Sequence, residues 1–217
     1  LSAWAVLPFM DTIAKYLSSE LSFFQITWAR YFFTVFWTLP FMFIFFRKKL
    51  TFSENPKLQI LRGLTLFSAN ICFFYSISVI SMAKALTLAF VAPLVTTALS
   101  PILLGEKVGI KRWTAVIVGF IGSLVVIRPG FIEFNLATVA ALGTGCLYGV
   151  YLIITRKLHS TDNPLLTLLF TGIVGATVST FLVPIVWVNP TNIQWLWLAI
   201  MGIFACLGHI LLIYSLR

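Results

Sequence analysis

Charge is scarce in this 217-residue chain: 15 Lys and Arg and 6 Asp and Glu leave charged residues at 10% of the total. No Walker motif or phosphate loop is present, so nucleotide hydrolysis is not expected as a direct energy source. Histidine is limited to His159, in a hydrophilic loop, and His209, in an apolar run, while the carboxylates are scattered. A membrane-embedded enzyme acting on lipids would need paired acids, a His-acid cluster or a metal-ligand set near one interface, and none is found. The three cysteines, Cys72, Cys146 and Cys206, all fall in apolar runs without metal-ligand spacing, which excludes a disulfide framework and a zinc site and makes them small packing residues. No catalytic residue, metal or cofactor is therefore expected.

What fills the chain instead is apolar. Hydrophobic residues reach 60% and the mean hydropathy is +1.02, values incompatible with a water-soluble surface. Eight apolar segments stand out: Leu1 to Leu17, Leu21 to Phe46, Leu64 to Ile80, Ala85 to Leu104, Trp113 to Ile127, Phe134 to Thr155, Leu165 to Val188 and Ile193 to Leu216. About 20 residues at helical rise cross a hydrocarbon core roughly 30 Å thick, so most of these segments are long enough to span. The shorter fifth reaches both interfaces if Lys111, Arg112 and Arg128 snorkel. The expected fold is an all-α integral membrane protein.

The net charge of +9 would suggest nucleic acid in a soluble chain, but here it is divided among particular loops. Arg47, Lys48, Lys49, Lys57 and Arg62 lie in the second loop, Lys107, Lys111 and Arg112 in the fourth, Arg156 and Lys157 in the sixth, and Arg217 follows the last segment. The odd loops hold only Lys84 and Arg128, with Lys15 at the edge of the first segment, so the positive-inside rule puts the chain start in the cytoplasm. Ser53 and Asp162 then belong inside and Asn192 outside, and Trp187, Trp195 and Trp197 form an outer interfacial belt. His159 and Asp162 are read as solvated loop residues.

The run from Asn70 to Ser76 lines up with His209 to Ser215 at an offset of 139 residues, pairing Asn70 with His209 and Tyr75 with Tyr214. The repeating unit then has five spans, an odd number, so the second copy enters the membrane inverted. This predicts a first repeat over 1–130 and an incomplete second repeat over 134–217, about eight transmembrane helices of an expected ten. Two spans of the second repeat are expected beyond Arg217.

Between Phe74 and Gly130 the order of elements is specific: Tyr75, Ala83 and Ala85, Pro93-Leu94, Leu104-Gly105-Glu106, the basic Lys111-Arg112-Trp113, Gly119 and Gly122, and Arg128-Pro129-Gly130. Together with Ala29-Arg30-Tyr31-Phe32 in the second segment and Tyr214-Ser215 in the eighth, this resembles the EamA-type domain of the drug/metabolite transporter superfamily. Lys84 departs from the small or acidic residues common at that place in relatives. The resemblance implies a secondary transporter in a bacterial cytoplasmic membrane. It would move a small polar solute, amino acid-like or nucleoside- and S-adenosylmethionine-like, by alternating access of two inverted halves. Its partners are then the solute and the lipid bilayer. A lipid-carrier flippase of the same fold is the alternative, ahead of a lipid-modifying enzyme.

Polar residues inside the apolar segments are the candidate solute contacts. Arg30 falls roughly 13 Å along the second segment, near the bilayer midplane. There an arginine costs about 2.5 to 3.5 kcal/mol to insert, which favours a hydrated cavity or an acidic partner over lipid. Asp11 and Lys15 are spaced i, i+4 and can neutralise each other, in a structural or a functional pair. Asn70 and His209 converge near the midplane if both face the pseudo-twofold axis, and Tyr75 and Tyr214 follow them; interhelical hydrogen bonding is the alternative role. Pro93 frees the Ala89 carbonyl, for a kink or for a solute. Gly145 with Gly149, Gly119 with Gly122 and Gly172 with Gly175 are expected at close helix contacts.

Overall fold

The structure, a computed structural model, describes residues 2–45, 53–127, 135–158 and 162–215. It is all α-helical among these residues, with nine helices: α1 (Ser2–Leu17), α2 (Phe23–Phe45), α3 (Pro56–Val79), α4 (Met82–Ala89), α5 (Ala92–Leu104), α6 (Ile110–Ile127), α7 (Leu136–Leu158), α8 (Pro164–Leu182) and α9 (Asn192–Ser215). A 3₁₀ turn, Val183–Val186, extends α8. Among the described residues, five spans are long and apolar enough to cross a membrane: Pro56–Val79, Met82–Leu104, Leu136–Leu158, Pro164–Val186 and Asn192–Leu212. The protein is thus an all-α integral membrane protein.

The helices form two compact units, one of Leu1–Leu64 with Leu158–Arg217, the other of Thr65–Lys157. In the first, α2 packs against α8 and α9, and α1 against α9. These contacts are close because glycine removes a side chain where it would collide. A methyl group at Gly175 would overlap the Tyr31 ring, and one at Gly202 would overlap Phe33. Gly172 meets Val35 in the same way, as the small face on α8 implies. At one end of this unit Gln25, fully buried, pairs its amide with the backbone of Val188, donating to the carbonyl at 2.7 Å and accepting from the amide at 3.1 Å. Trp28, Trp187 and Trp195 cluster beside it, with ring centroids 5.5 to 6.5 Å apart.

In the second unit the fourth apolar segment is broken rather than merely kinked. α4 stops at Ala89 and α5 starts at Ala92, with Pro93 in its first turn, where a missing N–H costs no intrahelical bond. α7 packs on this break through Gly145, whose added methyl would strike the Ala89 carbonyl and Val91, and through Gly149, which faces the Ala92 carbonyl and Val95. α5 ends at Gly105, whose φ of +68° is the left-handed C-cap that glycine adopts without strain. Glu106, just beyond, pairs with Arg156 at 3.0 Å and Arg112 at 3.9 Å.

Several expectations are corrected. α3 begins eight residues before Leu64, with Pro56 at its first position and the Asn55 carbonyl accepting from the amides of Leu58 and Gln59, both at 3.1 Å. Arg62 is therefore a fully buried helix residue, not a loop charge. Its guanidinium donates to the Thr167 carbonyl at 3.1 Å and to the Thr171 hydroxyl. Asp162 is not solvated: it is buried and accepts from the Ser53 hydroxyl at 2.5 Å, the Glu54 amide at 3.3 Å and the Gln59 side-chain amide at 2.6 Å. Burial explains both, since a charged group withdrawn from water requires this number of partners. Gly119 and Gly122 have no described atom within 4 Å of where a methyl would sit, so they mark no close contact among the described residues. Cys146 is exposed rather than packed. Arg47, Lys48, Lys49, the Arg128-Pro129-Gly130 motif, His159 and Arg217 lie outside the described residues.

Candidate functional site

In the first unit α2, α1 and α9 bring Arg30, Asp11 and His209 together. Arg30, on α2, is 3% exposed and reaches Met10 of α1 and His209 of α9. Its Nη2 is 3.2 Å from Nε2 of His209, and its Nε donates to the Met10 sulfur, also at 3.2 Å. His209 is buried and its Nδ1 lies 2.9 Å from the Ala205 carbonyl one turn back. A carbonyl can only accept, so Nδ1 carries the proton and Nε2 presents a lone pair to Arg30. A neutral imidazole thereby orients a guanidinium without neutralising it.

One donor group of Arg30 remains. Nη1 is buried and has no hydrogen-bond partner among the described residues. Asp11 is also buried, on α1 within electrostatic reach of Arg30, but makes no ion pair within 4 Å among the described residues. The Asp11–Lys15 pair suggested by spacing is accordingly not formed; Lys15 is half-buried. The cluster thus offers an oriented donor of positive charge and a separate carboxylate, an arrangement suited to a polar solute carrying an anionic group.

Asn70 belongs to the second unit, is buried, and donates to its own helix at the Leu66 carbonyl, at 2.7 Å. Tyr75, in the same unit, is half-buried. Tyr214 is in the last turn of α9, and its side chain lies outside the described residues. Sequence reasoning missed Met10 as a partner of Arg30, since a thioether in an apolar run carries no signal of polar contact. It also missed Gln59, which bonds Asp162 and, at 3.0 Å, the Thr167 hydroxyl, because its helix was expected to start later.

Residues 2–128 match the EamA-like transporter family, so the chain belongs to that family of helical membrane transporters. The S-adenosylmethionine uptake transporter of Rickettsia prowazekii is 28% identical over 207 residues, covering 95% of this chain and 69% of that protein. A riboflavin transporter of Vibrio cholerae is 31% identical over 119 residues, 55% of this chain and 40% of that protein. A solved crystal structure of a protein superimposes over 100% of this chain and 79% of its own with a TM-score of 0.73, at 17% identity, which supports the fold alone.

Proposed function

We infer that the protein is a secondary transporter that takes up a small polar metabolite across a bacterial cytoplasmic membrane, by alternating access of two inverted five-helix repeats. The observation that carries this reading is the Arg30 cluster. A permanent charge buried among apolar helices, oriented by His209 and Met10 and with Nη1 unpaired among the described residues, is costly to maintain unless it meets an anionic group in transit. Family membership and the S-adenosylmethionine relative point the same way. Arg30 is assigned the anionic group of the solute, Asp11 a cationic or hydrogen-bonding group, and His209 the positioning of Arg30. Asn70, Tyr75 and Tyr214 are proposed as further contacts from their repeat-related places in the sequence. The chain start is assigned to the cytoplasm from the loop charges.

The test is uptake of labelled S-adenosylmethionine, riboflavin and a set of amino acids by cells producing the protein. Saturable accumulation of one of them, competed by the unlabelled solute, is expected. Absence of accumulation across the panel at normal membrane abundance would count against uptake of these classes.

A further inference from the structure

The first unit holds a cleft where α1 closes and α9 opens. It measures about 170 Å³ and its walls include Tyr16, Glu20, Thr191, Gln194 and Trp197. Glu20 is the single charged group in the lining. The turn after α1 places it, its amide donating to the Leu17 carbonyl at 3.1 Å. From the other side Gln194 holds it through a reciprocal cap at the start of α9. The Gln194 amide donates to the Thr191 hydroxyl at 3.3 Å, and its side-chain oxygen accepts from the Thr191 amide at 2.8 Å. That capping box aims Nε2 of Gln194 at Oε2 of Glu20, while Oε1 of Glu20 has no partner among the described residues. Tyr16 and Trp197 meet edge to face, ring centroids 6.4 Å apart at 64°.

An interfacial aromatic girdle accounts for the two rings, but it does not require a carboxylate fixed beside them. The chemistry of the cleft selects its ligand. Glu20 repels anions. A hard metal ion needs about six oxygen ligands or retained waters, far more than one carboxylate edge supplies. A methyl-rich organic cation is weakly hydrated, so it gives up little on leaving water and gains both the carboxylate and the electron-rich ring faces. We propose that this cleft binds an alkylated onium group, a quaternary ammonium or sulfonium head, with Glu20 as counter-charge and Tyr16 and Trp197 as cation–π walls. The same head group can come from a free solute or from a choline lipid.

Choline and its uncharged isostere 3,3-dimethylbutan-1-ol separate charge from shape. Their binding is to be compared by saturation-transfer NMR and titration calorimetry, on the protein in phosphatidylglycerol nanodiscs. Choline and trimethylsulfonium should bind, and the isostere should bind roughly tenfold more weakly. Glu20→Gln should abolish that preference, Trp197→Leu should weaken choline, and Trp197→Phe, which keeps a ring, should retain it. If Glu20→Gln does not assemble, Tyr16→Leu supplies the second arm, with the same loss of choline expected. Equal binding of choline and its isostere, or a choline affinity untouched by Glu20→Gln and Tyr16→Leu, would overturn the proposal. Phosphatidylcholine in the nanodisc competing with choline would assign the site to a lipid head group; no competition would assign it to a free solute. Because binding is read directly, the outcome is independent of whether the protein transports.

Discussion

Arg30 and His209, 179 residues apart in sequence, meet at 3.2 Å with the imidazole as acceptor. The Ala205 carbonyl enforces this polarity by taking the proton-bearing Nδ1. Replacing His209 by Leu removes an acceptor and leaves a second donor group of Arg30 unpaired and buried. The expected loss is about 1–3 kcal/mol of stability. His209→Gln, which can turn its carbonyl oxygen to Arg30, should recover part of it. Thermal unfolding of the purified variants in detergent measures both, and equal stability of the Leu and Gln variants would show that the hydrogen bond contributes little.

Glycines on α8 and α6 should respond differently. Gly175→Val drives a branched side chain into the Tyr31 ring and should cost about 1–3 kcal/mol through overpacking. Gly119→Val meets nothing within 4 Å and should not share that packing cost. Yield of monodisperse protein and its midpoint of unfolding are the readouts; a matching drop in both variants would contradict the packing described for α2 and α8.

Asp162 gathers Ser53, Glu54 and Gln59, joining the segment before α3 to the loop before α8. Asp162→Ala should destabilise this end by roughly 1–3 kcal/mol, because it leaves one of the two Gln59 side-chain N–H groups, the one not given to Thr167, unpaired in a buried place. Faster amide exchange at Leu58 and Gln59 is expected, and unchanged exchange there would argue against a structural role.

These contacts show what the sequence made legible and what it concealed. Apolar runs mark where water is excluded, so the position of α9 is readable to within one residue at each end and that of α7 to within three. That signal does not show that a charge at the edge of an apolar run can be buried, so Arg62 reads as a loop residue and Asp162 as solvated: their partners, Thr171 and Gln59, come together only in the folded protein. Arg30 stands out in the sequence because a charge inside an apolar run is costly whatever surrounds it, and the structure buries it. Its orientation does not, because Met10 and the tautomer of His209 are tertiary facts. Pro93 announced an interruption but not a break, whose form depends on Gly145 and Gly149 across the contact.

Membrane orientation is open to direct chemistry. In a background lacking Cys72, Cys146 and Cys206, Asn192→Cys should react with an impermeant thiol reagent in intact cells, and Lys57→Cys only after permeabilisation. Both positions are exposed, so accessibility does not confound the comparison. Labelling of position 57 alone in intact cells would invert the proposed topology.

The charge of Arg30 is the centre of the account, and the initial rate of uptake of the solute identified by the labelled panel tests it most directly. Arg30→Leu relieves the insertion cost and should reach the membrane at least as abundantly as the parent protein, yet its uptake should fall to background. Arg30→Lys keeps the charge without the forked geometry and should retain a fraction of the rate with a raised KM. Parent-level uptake by the Leu variant at normal abundance would contradict the assignment of Arg30 to the solute.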